Sequence, residues 1–214
     1  MTQSHVSSGF EGWPPAALEF YRGLEADNSK AYFTAHRAVY DDAVAGPALA
    51  LLDELAPEYG EGKIFRPHRD VRFSADKSPY KTSLGVMIGS SGFVHLDADR
   101  LMVGTGRYDM SPAELTAYRG AVDAPASGEE LQGIADELRA DGFRIGGHDA
   151  VATVPRGFDR AHPRAELLRL KGIAATRTWP ADEPWVATAE AKDRIVEAIE
   201  RAAPLRAWLS RHLT

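Results

Sequence analysis

The densest group of side chains able to do chemistry lies between Lys63 and Lys81. Six cations, Lys63, Arg66, Arg69, Arg72, Lys77 and Lys81, face two acids, Asp70 and Asp76, so the stretch is formally +4 (six less two) in a chain of net charge −6. Ammonium and guanidinium groups at this density suit an anion, such as a carboxylate, phosphate or sulfate held by charge-assisted hydrogen bonds. Arg72, Lys77 and Lys81 are the leading candidates for that contact, with Tyr80 placed between the lysines to orient a ligand. Ser78-Pro79-Tyr80 imposes extended or turn geometry, because a residue before proline avoids the helical region. Lys77 and Lys81 flank this turn and can converge on one side. The alternative is structural: Asp76 pairs with one of those three cations and pins the loop, while Tyr80 fills a core pocket.

Arg72-Phe73-Ser74-Ala75-Asp76-Lys77-Ser78-Pro79-Tyr80-Lys81-Thr82 resembles R-F-S-x-D-K-S/T-P-Y-K-T, the signature of the bacterial family named domain of unknown function 2461. The resemblance runs from Gly9-Phe10 to the region of Lys171, with separated motifs in order. It implies a single α+β domain and carries over no activity. It also draws in further positions. An aromatic-x-His-acidic strand matches Phe93-Val94-His95-Leu96-Asp97, with Asp97 where glutamate is usual. The P-K-G-aromatic and H-P elements match Pro155-Arg156-Gly157-Phe158 and His162-Pro163, Arg156 replacing a lysine and so changing the geometry of the cation. A glycine-rich strand end matches Gly104-Thr105-Gly106.

Strand alternation puts Phe93, His95 and Asp97 on one face, so an imidazole and a carboxylate point the same way. Such a pair can act as a general base or join a metal site; a plain hydrogen-bonded sheet histidine is the simpler role. In an enzymatic form of the reading, His95 or His162 is the general acid or base, and Arg107, Arg156 and Lys171 join the ligand-binding cations. Gly104 and Gly106 allow close backbone approach or a bulge, and are too few for a dinucleotide fingerprint.

Several elements must position these groups. Trp13-Pro14-Pro15 starts a helix carrying Leu18 and Leu24, and Asp27-Asn28-Ser29 breaks and recaps it. Phe33, Arg37, Tyr40 and Val44 repeat at helical spacing, so the aromatics Tyr32, Phe33 and Tyr40 read as core and not as a base-stacking platform. After Gly46-Pro47, a third helix presents Leu49, Leu52 and Leu55 inward. The pattern then predicts strands over Asp70–Phe73, Leu84–Ile88, Phe93–Leu96 and Leu101–Val103 as an antiparallel meander. Ser111-Pro112-Ala113-Glu114 is a capping box. Ser127 caps the next helix, which Gly142 stops. Phe143–Ile145 and Val151–Val154 read as strands, Arg164–Lys171 as a short helix, Ile173–Trp179 as a last strand, and Ala189–Leu213 as a helix bent at Pro204.

Composition narrows the function classes. The chain has 214 residues, 44% hydrophobic and 26% charged, as in an ordinary globular protein. The absence of cysteine excludes disulfides, thiol nucleophiles and zinc–thiolate sites. The negative total charge argues against indiscriminate nucleic-acid binding while leaving room for a local basic groove. No membrane-length apolar run and no signal-peptide profile in Met1–Ser8 point to a cytoplasmic protein. G-x-S-x-G, P-loop, H-E-x-x-H and C-x-x-C motifs are all missing. Residues 1–12 are expected to be a flexible lead-in and 13–214 a single α+β domain, with helices packing a central, mainly antiparallel sheet; Ala124–Gly128 reads as a loop.

The function expected is binding of an anionic, in its sharper form phosphorylated, small molecule in a basic polar pocket, with catalysis as one version. One alternative is a non-catalytic module that binds a protein or nucleic acid through the basic strip 63–81. A third is a metal-dependent hydrolase on His95, Asp97 and His162. No cofactor, resident metal or membrane partner is expected.

Overall fold

The computed structural model of the chain describes residues 9–70, 72 and 76–213. Helix α1, Pro15–Ala26, has proline at its first position, where the missing N–H costs nothing, and turns Ala17, Leu18, Phe20, Tyr21 and Leu24 inward. Ser29 caps α2, Lys30–Ala35, its hydroxyl accepting the Tyr32 N–H at 3.1 Å. Next come α3, Arg37–Val39, a π-helical turn over Tyr40–Ala45, and α4, Gly46–Tyr59, with no loop between them. Gly46-Pro47 is therefore not a break; the proline sits in the first turn of α4, where it is tolerated. Trp13, fully buried, donates its indole N–H to the Val44 carbonyl at 3.3 Å. The inward face of α4 is Ala48, Leu51, Leu52 and Leu55, whereas Leu49, expected in the core, is 54% exposed. One residue along a helix rotates a side chain by about 100°, enough to carry Leu49 off that face.

The strands are β1 (Lys63–Ile64), β2 (Leu84–Ile88), β3 (Gly92–Leu96), β4 (Arg100–Arg107), β5 (Arg144–Gly146) and β6 (Ile173–Pro180). They form an antiparallel sheet in the order β1-β2-β3-β4-β6-β5, which together with the helices makes the α+β fold implied by the sequence. Leu84, Val86 and Ile88 of β2 and Val94 and Leu96 of β3 are buried, and Met87, Phe93 and His95 between them are half-buried. That alternation is the mark of a sheet with one packed and one more open face. Of the predicted strand Asp70–Phe73, Asp70 and Arg72 lie outside any strand, and Val71 and Phe73 fall outside the described residues.

The chain groups into two compact units, Met1–Val103 with Thr178–Glu197, and Gly104–Arg177 with Ala198–Thr214. The first contains the elements just described up to β3. In it Phe10, within the stretch expected to be a lead-in, is buried against Trp13 at 5.1 Å between ring centroids. Its backbone N–H donates to Glu54 Oε1 at 2.7 Å, and Glu54 also holds Lys192 at 2.6 Å.

The second unit is built on α5, Pro112–Asp123, whose Ser111–Glu114 capping box is complete. Helix α6, Pro125–Ala140, begins before Ser127, so Ala124–Gly128 is not a loop and Ser127 is not its cap. The Ser127 hydroxyl donates instead to the Ala121 carbonyl at 2.6 Å, because Pro125, with its preset φ, takes the first helical position. Val151–Val154 forms no strand; pairing there is limited to a bridge between Ala150 and Leu170. Helix α7 covers Ala165–Arg169, and the C-terminal helix divides into α8, Glu190–Arg201, and α9, Ala203–His212, with Pro204 in the first turn of α9. Tyr118 and Trp208 are fully buried, the phenol donating to the Leu167 carbonyl at 3.1 Å and the indole to that of Ser127 at 2.9 Å. Among the described residues no helix is long and apolar enough to cross a membrane.

Candidate anion-binding face

The signature loop closes on itself. His68 and Tyr80 form an antiparallel bridge, with Arg69 N–H donating to the Pro79 carbonyl at 2.9 Å and Lys81 N–H to that of Pro67 at 2.8 Å. Asn28 clasps the same point from the α1–α2 junction: its amide oxygen accepts the Tyr80 N–H and its amide nitrogen donates to the Tyr80 carbonyl, both at 3.1 Å. The Tyr80 ring is buried and stacks on Phe33 at 4.2 Å with 4° between planes, and His68 lies 5.0 Å away. Tyr80 is thus placed as a core residue, the structural role weighed from the sequence.

Asp76 pins the loop from within. One oxygen accepts the Ser78 N–H at 2.9 Å and the other pairs with Arg69. The partner is outside the trio Arg72, Lys77 and Lys81 expected from the sequence. Arg72 bonds locally instead, its guanidinium reaching Asp70 at 2.7 and 3.0 Å. That contact holds the Asp70 carboxyl below its ordinary range. Lys77 is exposed on the loop.

Lys81 belongs to a different setting. Its Nζ lies 5.4 Å from the centroid of the Phe65 ring, and Lys63 Nζ lies at the same distance from that ring. Among the described residues neither lysine has an acidic partner within ion-pair distance. Phe65 continues the pairing of β1 by donating its N–H to the Gly85 carbonyl at 2.8 Å. Gly85 in turn sits opposite His95 in the β2–β3 register. A Cβ at Gly85 would lie 2.9 Å from the Phe65 ring and 3.3 Å from the Phe93 ring, so the missing side chain is what lets these rings approach. Their centroids are 6.0 Å apart at 42°.

His95 completes this face. Its Nε2 is 2.8 Å from Asp97 Oδ2, so the imidazole and carboxylate do share a face, as alternation requires. Asp97 also accepts the backbone N–H groups of Asp99 at 3.0 Å and Arg100 at 2.9 Å, and the Arg100 side chain at 3.0 Å. Burial pushes the Asp97 carboxyl up, but the hydrogen bonds from His95, Asp99 and Arg100 outweigh it and the net direction is down. An ionised Asp97 only accepts hydrogen bonds, which assigns the proton of a neutral His95 to Nε2 and leaves Nδ1 as the basic nitrogen.

The other predicted site residues belong to the second unit. Arg107 reaches Glu114 at 3.4 Å, and Lys171 holds Asp149 at 2.5 Å, drawing that carboxyl below its ordinary range. Arg156 is exposed. His162 Nδ1 accepts the Arg164 N–H at 3.0 Å within the local turn, and Nε2 is 3.4 Å from Asp123 at the end of α5. Arg164, which sequence reasoning passed over, is buried and donates to the carbonyls of Val122 at 2.8 Å and Asp123 at 3.1 Å, capping the end of α5. Gly106 has a φ of +133°, and a Cβ there would lie 2.4 Å from the Ile173 carbonyl oxygen, so close backbone approach explains it. Among the described residues no three His, Asp or Glu side chains gather in a way that would hold a metal ion.

Sequence reasoning also missed Phe65, Asn28 and the Arg69–Asp76 pair. Phe65 carried a signal, an aromatic two residues after Lys63; Asn28 was visible only as a helix breaker.

A family model described as a conserved hypothetical protein, domain of unknown function 2461, matches residues 16–208. The chain belongs to this family. The chain is similar to a solved structure, an uncharacterized protein from Methanothermobacter thermautotrophicus, at 13% identity, covering 78% of this chain and 96% of that one, with a TM-score of 0.39. No curated protein matches the chain.

Proposed function

We propose that the protein binds an anionic small molecule, a phosphorylated one in the sharpest form, on the face formed by β1–β3. The observation that carries this reading is the pair Lys63 and Lys81, both resting on Phe65 with no acidic partner among the described residues. A cation on an aromatic ring keeps its full charge available, and the contact itself is worth only about 0.5–1 kcal/mol at an exposed site, so an incoming anion competes easily. His95, oriented by Asp97, adds an acceptor at Nδ1 and, in an enzymatic version, the group that moves a proton. The macromolecular strip over 63–81 loses support because Arg69 and Arg72 are already matched to Asp76 and Asp70.

The test is calorimetric titration with inorganic phosphate and ribose 5-phosphate at low ionic strength. Lys63→Ala/Lys81→Ala should weaken binding by about tenfold or more, the scale of one to two lost charge-assisted contacts. Equal affinity in wild type and double variant, with folding confirmed by circular dichroism, would end the reading.

A further inference from the structure

We infer that the anion is the phosphate of a mononucleotide, whose base stacks on Phe93; this rests on the anion-binding reading above and goes beyond it. An anion alone needs cations and donors, yet the two lysines share their face with two half-buried phenyl rings. The open face of an antiparallel sheet is ordinarily polar, so paired rings there are out of pattern. Gly85 lets Phe65 and Phe93 come together on this face, their centroids 6.0 Å apart, as any side chain there would run into both rings.

The registers fix the layout. Lys63 faces Met87 and Met87 faces Phe93, so Lys63 and Phe93 lie in one row, two strand spacings apart. Two spacings are on the order of 10 Å between backbones. The Lys63 ammonium, 5.4 Å from the centre of the Phe65 ring, and the Phe93 ring, 6.0 Å from it, lie on the scale that separates a nucleotide's base from its phosphate. In the next row His95 faces Gly85, and its Nδ1 can accept a hydrogen bond from a ribose hydroxyl or a base N–H. Lysines crowd Phe65, so Phe93 is the ring that takes the base, and the ammonium groups take the phosphate.

A polymer fits less well. Polyanion binding scales with the number of phosphates neutralised, and here two lysines serve that role in a chain of net charge −6.

The experiment compares the four common nucleoside 5′-monophosphates, ribose 5-phosphate, inorganic phosphate and a hexanucleotide by calorimetry at one ionic strength. At least one nucleotide should bind about tenfold tighter than ribose 5-phosphate, as stacking of one base on one ring provides. Phe93→Leu should erase the margin between nucleotide and ribose 5-phosphate, so that the two bind the variant alike, while Phe93→Tyr, which keeps a ring, retains it. If nucleotides and ribose 5-phosphate bind alike and both need Lys63 and Lys81, the inference is overturned and the anion reading stands. If no phosphorylated compound binds, the anion reading fails and takes the inference with it. A hexanucleotide more than about tenfold tighter than any mononucleotide, with steep loss in salt, overturns the inference in favour of a polymer.

Discussion

The signature loop and the sheet face next to it in sequence hold their cations in opposite ways. In the loop, guanidinium groups meet carboxylates: Arg69 takes Asp76 and Arg72 takes Asp70. On the face, the ammonium groups of Lys63 and Lys81 meet the Phe65 ring. Both arrangements satisfy a charge locally, but only the first cancels it. Exposed ion pairs add little to stability, so the loop pairs act mainly to shape the turn and to remove charge from the surface. The lysines on Phe65 keep their charge. The difference teaches that a density of cations in sequence does not locate a site; the position of their counter-charges does.

The strongest way to break this contrast is to attack the claim that the loop is scaffold. Tyr80 is buried on Phe33 and clasped by Asn28. Tyr80→Ala should therefore cost about 3–5 kcal/mol in denaturant melts, the usual loss for deleting a buried ring. A loss below about 1 kcal/mol, with binding abolished, would move Tyr80 from the core to the site and make loop and face one functional surface.

A second, smaller effect sharpens the face side of the comparison. Asp97 gathers hydrogen bonds from His95, Asp99 and Arg100, and its carboxyl is held below the usual range. A depressed folded-state value means that its stabilisation is fully present above the unfolded carboxylate value of about 3.9 and is lost as pH falls through the lower folded value. Urea melts of wild type and Asp97→Asn should differ by a constant amount from about pH 5 to 7 and converge as the pH drops below about 4. A gap that stays constant into acid would mean that Asp97 contributes by shape and not by charge, and would leave His95 without an ionised partner.

The contrast also explains what could be read in advance. The proline at the start of α1, the Ser29 cap and the Ser111–Glu114 box depend on one to four neighbouring residues and were legible. So was the strand parity that aligns His95 with Asp97. Leu49 and Ser127 went astray by a single step of helical phase or a competing first-turn proline. Asp76 was correctly suspected of pinning the loop, but its partner Arg69 is seven residues away and enters through the His68–Tyr80 bridge, a non-local pairing that no short window contains. Phe65 was hidden for the same reason: its meaning depends on Gly85, Phe93 and Lys81, which the fold assembles from three segments. The lysines could be counted from sequence, but not separated from the arginines that carboxylates hold.

The finest test separates the two cancelled charges of the loop. Asp76 does two things, receiving the Ser78 N–H and pairing with Arg69 across the turn. Arg72 reaches Asp70, two residues away, from a position that is 76% exposed. Asp76→Ala removes both functions and should cost about 1–2 kcal/mol, chiefly through the backbone hydrogen bond left unmade. Asp76→Asn keeps an acceptor for Ser78 and gives up only a screened surface pair, so most of that loss should be recovered. Arg72→Ala should leave the denaturation midpoint unchanged within error and leave phosphate affinity close to wild type, since its charge is already answered by Asp70. Suppose instead that Arg72→Ala melts like wild type but loses phosphate affinity as sharply as Lys63→Ala/Lys81→Ala. The Asp70 pair would then be one that a ligand opens, and the line between a cancelled loop and a charged face would have to be redrawn through Arg72.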